Sequence, residues 1–183
     1  MRATMMRGVI LAAAVVMPAC GDASPRTGGG AGDSAAGALA SVSVGTALPD
    51  HRATTLAGDA VRLGGAGGPL TLLNVWATWC TSCKEEMQDL AAIHDDYATR
   101  GLRVVAVSVD AGSEALVRRF VQRESLRFPV VHDQAGEIQR QYHIVGVPTS
   151  YLIGADGRVL WQQVGGIHGN LPVVRVEVEK AMR

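Results

Sequence analysis

Trp76-Ala77-Thr78-Trp79-Cys80-Thr81-Ser82-Cys83 ends the mostly apolar run Pro69-Leu70-Thr71-Leu72-Leu73-Asn74-Val75-Trp76 and precedes a segment with apolar residues at Met87, Leu90, Ala91 and Ile93. A short apolar run reads as a strand covered on both faces, and the spacing after it predicts a helix over residues 84–97. The C-x-x-C therefore falls at a strand-to-helix junction. Backbone N–H groups and the positive end of the helix dipole there favour a thiolate on Cys80, so its pKa is expected below that of a free cysteine. Cys83 returns to the same face one turn later, within reach of a disulfide. A bridge closing so small a loop gains little chain-entropy stabilisation, so the pair reads as redox chemistry. The competing readings are an inert bridge or half of a zinc site. Zinc would need two further ligands, and the five histidines, His51, His94, His132, His143 and His168, show no ligand spacing, so no metal is expected.

The pattern around this junction is that of an α/β chain. Residues 102–109 form a second strand, completing a βαβ unit in which parallel pairing and a right-handed crossover are expected. A helix over 113–123, a short strand over 128–131 and a helix over 134–142 follow. Tyr151-Leu152-Ile153 turns at Ala155-Asp156-Gly157 into a strand over 159–164. The last helix opens with Asn170 as cap and Pro172 in its first turn. Upstream, residues 42–63 suggest an N-terminal hairpin about Gly58-Asp59. There are no internal repeats.

The chain has 183 residues, 48% hydrophobic and 19% charged, enough for one packed domain. Two of its 17 basic residues, Arg2 and Arg7, and none of its 17 acids precede Cys20, so the remainder carries a slight acidic excess. Such a balance lacks the electrostatic footprint of a nucleic-acid binder. Residues 1–19 read as an export signal, a basic start followed by an apolar stretch too short to span a bilayer as an ordinary helix. Residues 20–40, rich in Gly, Ala and Ser, read as a flexible tether, and 41–183 as the folded domain. Met17-Pro18-Ala19-Cys20 resembles the lipobox of bacterial lipoproteins, which implies lipidation of Cys20 and a membrane anchor with the domain on the periplasmic or extracytoplasmic side.

Asn74-Val75-Trp76-Ala77-Thr78-Trp79-Cys80, together with Gly146-Val147-Pro148-Thr149, resembles the thioredoxin superfamily. The additional helix and strand between Ser113 and Val131, with export and anchoring, resemble its membrane-anchored TlpA and ResA type of thiol-disulfide oxidoreductase. The resemblance implies a thioredoxin fold with an N-terminal β-hairpin and a central helix-strand insertion, a cis Val147-Pro148 bond beside the cysteines, and Val147 backbone groups that bind extended substrate. It implies a protein-disulfide reductase without a cofactor, taking electrons from a membrane thiol donor and acting on exported disulfide-containing proteins, for example in cytochrome c maturation. A thiol peroxidase and a copper-binding chaperone using the same cysteines are the alternatives. Glu86 matches an acidic position of the ResA-like group, and because Asn74 stands where cytoplasmic thioredoxins carry a buried Asp, proton transfer would pass to Glu86 or water. The competing reading of Glu86 is a solvated first-turn residue that favours the helix dipole. Trp79 is the expected partner contact. The Thr81-Ser82 dipeptide leaves the potential and redox direction open.

Mass spectrometry of the exported protein should find Cys20 acylated at a new N-terminus; an unmodified N-terminus elsewhere would refute the lipoprotein reading.

Overall fold

The computed structural model describes residues 42–183, so the export segment at 1–19, the tether at 20–40 and Cys20 lie outside the described residues. The N-terminal hairpin pairs β1 (His51–Thr54) with β2 (Ala60–Leu63). β3 (Thr71–Trp76) is the middle strand of a five-stranded sheet with β4 (Arg103–Ser108), β5 (Val130–His132), β6 (Thr149–Ile153) and β7 (Val159–Val164), in the order β5-β4-β3-β6-β7. β3, β4 and β5 run parallel, and β6 and β7 are antiparallel additions. Four helices connect or follow them: α1 (Thr81–Tyr97), α2 (Glu114–Arg123), α3 (Glu137–Gln141) and α4 (Leu171–Ala181).

Every residue of β3 is buried, which is why the strand carries apolar residues on both faces. Leu72 and Trp76 join Met87, Leu90 and Ile93 of α1, Phe120 of α2 and Val174 of α4 in one core. Leu73 and Val75 face the opposite way, toward Leu63 of the hairpin and Ile138 of α3. The sheet is thus the middle of three layers. Among the described residues no helix is long and apolar enough to cross a membrane.

Three helix starts differ in detail from the sequence reading, each for a local reason. α1 begins at Thr81 rather than residue 84, because Cys80 itself is the N-cap. α3 is shorter than 134–142: the Asp133 carboxylate accepts the N–H groups of Glu137 (2.8 Å), Ile138 (2.8 Å) and Gln139 (3.2 Å), so the helix starts only beyond the intervening turn. Asn170 occupies the cap position of α4, yet its side chain makes no cap bond; the first turn is closed by its carbonyl, which accepts from Val173 and Val174.

The segment ahead of β3 reaches both edges of the sheet. Gly45 N–H donates to the Val159 carbonyl and Val159 N–H to that of Thr46, while Leu56 N–H donates to the Val130 carbonyl on β5. Gly157, in the β6–β7 turn, has φ +79°, and a Cβ there would lie 2.6 Å from the Gly65 carbonyl carbon. Gly157→Ala combines left-handed strain with a backbone clash and should cost about 3 kcal/mol in chemical denaturation. Gly101→Ala, at φ +102° with open space around it, should cost about 1 kcal/mol; equal losses would deny that packing against Gly65 matters.

Candidate functional site

The two cysteines sit where the central strand hands over to α1. They are joined as a disulfide with Cα atoms 5.3 Å apart. Cys80 Sγ accepts the Cys83 N–H at 3.2 Å, so the sulfur meets the unpaired amides of the helix N-terminus. Cys83 is fully buried and Cys80 is 7% exposed, whereas Trp79 beside them is 68% exposed. Cys80 is therefore the more accessible sulfur, although less open than a free surface thiol.

Register explains how a segment nearly 70 positions downstream arrives here. β6 pairs antiparallel with β3, matching Thr149 to Val75, so Pro148 falls at the level of Trp76 just before the cysteine loop. The Val147-Pro148 bond is cis. Val147 packs, half-buried, against the core cluster that contains both cysteines.

Glu86 is fully buried. That contradicts the solvated first-turn reading, and the cause is helical phase: Cys83, Glu86, Met87, Leu90, Ile93 and Tyr97 form the inward stripe of α1. A carboxylate in such a stripe requires hydrogen-bond donors. Asn74 Nδ2 donates to Oε1 at 2.7 Å and the backbone N–H of Ile167, in the loop between β7 and α4, donates to Oε2 at 2.7 Å. Asn74 Nδ2 also reaches Ser150 Oγ at 3.0 Å, while its Oδ1 has no partner among the described residues. Burial pushes the Glu86 pKa above its ordinary 4.5, opposed by the Ile167 and Asn74 donors; nearby Asp89 raises it further and His168 lowers it.

Asp110, which sequence reasoning passed over, fixes the approach to Cys80. Its carboxylate accepts Thr78 Oγ1 at 2.6 Å, Thr78 N–H at 3.0 Å and Ser108 Oγ at 2.6 Å. The available signal was an Asp directly after an apolar strand whose C-terminal end lies beside that of β3. Trp76, by contrast, is a core residue, its ring 4.9 Å from that of Phe120. No group of three or more metal-ligating side chains is found among the described residues.

Paired cysteines at the end of a central strand, capped by a helix and flanked by a cis-proline, define a redox protein of the thioredoxin class. Residues 44–162 match the AhpC/TSA family, and the chain belongs to that family. It is 38% identical over 120 residues to thiol-disulfide oxidoreductase ResA of Oceanobacillus iheyensis, a match covering 63% of this chain and 62% of that protein, which is under two thirds of its length. It is 34% identical over 123 residues to ResA of Bacillus thuringiensis, covering 67% and 70% respectively. Among solved structures, StoA of Bacillus subtilis aligns with a TM-score of 0.63 at 25% identity over 73% of this chain and 99% of that one. The chain is accordingly a thiol-disulfide oxidoreductase.

The raised Glu86 pKa has a stability consequence. A carboxyl that holds its proton more tightly when folded contributes stability that is complete below the unfolded value, 4.5, and is lost as pH rises through the folded one. The denaturation midpoint should fall with rising pH across that window, and Glu86→Gln should flatten this part of the profile. An unchanged slope in the variant would place the titration elsewhere.

Proposed function

We propose that this protein is a reductase of disulfides in exported proteins, with Cys80 as attacking sulfur and Cys83 as resolving sulfur. The observation that carries the assignment is the asymmetry of the pair: Cys80 accepts an amide at the helix N-terminus and is the more exposed, while Cys83 is sealed in the core.

In the reduced enzyme the Cys80 thiolate attacks one sulfur of a substrate disulfide. A bond forms between Cys80 and that sulfur, and the other substrate sulfur leaves as a thiolate that takes up a proton. The Cys83 thiolate then attacks Cys80 Sγ, forming the enzyme disulfide and releasing the second substrate thiol. The substrate gains two electrons and two protons. The enzyme disulfide is the form described above, and a membrane dithiol donor would reduce it again. Glu86, one helical turn beyond Cys83, is the carboxyl to which this reading assigns proton exchange with the cysteines. Trp79 and the backbone of Val147, next to cis-Pro148, supply the contact surface for an extended substrate. Cytochrome c maturation is a fitting setting for such a reductase, and a lipid on Cys20 would hold it at the membrane where the donor resides.

Cys80→Ser should abolish reduction of a model peptide disulfide, and Cys83→Ser should accumulate mixed disulfides on non-reducing gels, since the attacker survives without its resolver. A midpoint potential near the thioredoxin end of the class, about −270 mV, supports the reductase assignment; one near about −120 mV would reverse the direction.

A further inference from the structure

Glu86 is fully buried, but two ionisable side chains, Asp89 and His168, act on it. Asp89 lies almost one turn further along α1, with its side chain 21% exposed. His168 belongs to Gly165-Gly166-Ile167-His168-Gly169, the same loop whose Ile167 N–H holds Oε2. Nδ1 of His168 and Oδ2 of Asp89 are 2.9 Å apart. The loop backbone crosses the carboxylate at contact distance: a Cβ on Gly166 would sit 3.5 Å from Glu86 Oε2.

The other elements around the carboxylate bring no formal charge to it. β3 offers the Asn74 amide and β6 the Ser150 hydroxyl. On α1, Lys84 and Glu85 point to solvent, and Cys80 and Cys83 are bonded to each other. Asp89 and, when protonated, His168 are therefore the charges that act on Glu86, in opposite senses and after burial and the Ile167 and Asn74 hydrogen bonds in size.

We propose that the Asp89–His168 pair tunes the redox site, governing through these two opposed charges when Glu86 takes up and releases the proton it exchanges with the cysteines. The inference rests on the reading of Glu86 as the proton-handling group. A carboxylate at Asp89 disfavours a second negative charge on Glu86, and an imidazolium at His168 favours it. With both present the two effects oppose each other, that of Asp89 being the larger. Without a positive charge at position 168, Asp89 would be uncompensated and Glu86 would hold its own proton more tightly. Both members of the pair reach solvent, whereas the carboxyl they act on is fully buried. Asp89 and His168 are positioning residues: neither touches a sulfur.

The test is an NMR titration of side-chain carboxyl carbons in the oxidised full chain labelled at glutamate, with the Glu86 signal assigned by its loss in Glu86→Gln. His168→Gln should shift the Glu86 midpoint upward and Asp89→Asn downward, with the double variant returning toward wild type. His168→Lys, which keeps a positive charge without the imidazole, should hold the midpoint low. High salt should shrink each shift, because both side chains are partly in solvent. Midpoints that move in the same direction for both single variants would show only a latch holding the loop, and superimposable curves would show no coupling; either overturns the inference. Disulfide exchange measured on the same samples separates this result from the broader reading: exchange that survives Cys80→Ser would reject the Cys80 mechanism whatever the titration shows.

Discussion

A carboxylate in an apolar interior must be supplied with hydrogen-bond donors or give up its charge. Glu86 meets that demand with donors drawn from two distant parts of the chain, the Asn74 amide of β3 and the Ile167 amide after β7. Through Asn74 the set extends to Ser150 on β6. One side chain thereby fixes the distance between the redox helix, the central strand and the loop before α4. Leu or Met at this position would pack, but would leave the Ile167 N–H unpaired in the interior, at a cost of about 1–3 kcal/mol, and the Asn74 amide with Ser150 as its remaining acceptor.

Asp110 does comparable work on the other side of the junction. Where Glu86 holds the helix from below, Asp110 holds the incoming loop through Thr78, and Val109 N–H adds a bond to the Trp76 carbonyl. The chain between strand and helix is only residues 77–80, and it is pinned at both ends. A reactive sulfur gains from such rigidity, since its geometry toward an incoming disulfide does not have to be found anew at each encounter.

What could be read from the sequence was whatever depended on nearest neighbours. The run ending at Trp76, the C-x-x-C and the β6–β7 hairpin were visible because strand periodicity, helix-start chemistry and turn residues act over a few positions. The cis Val147-Pro148 bond came from family resemblance, since nothing in the local spacing requires it. Glu86 was half legible: its separation from Cys83 and Leu90 puts it on the buried face, but its acidic character suggested solvent. Its partner Ile167 lies 81 positions away, a pairing produced only when the sheet closes. Asp110 and Thr78, 32 positions apart, were missed for the same reason. Asn170 failed in the opposite direction, a good cap residue whose side chain is left out because the backbone already closes the turn.

The strap formed by residues 42–63 touches both outer strands of the sheet, at Arg158 and Val159 on one side and at Val130 and Val131 on the other. An open strand edge is an invitation to any extended polypeptide nearby. An uncovered edge of this kind would pair with extended segments of other chains and seed co-aggregation. The strap occupies one end of each outer strand, which shortens the stretch on which a foreign strand could grow. Protection of the sheet edges is thus written into the same segment that covers the second face of the core.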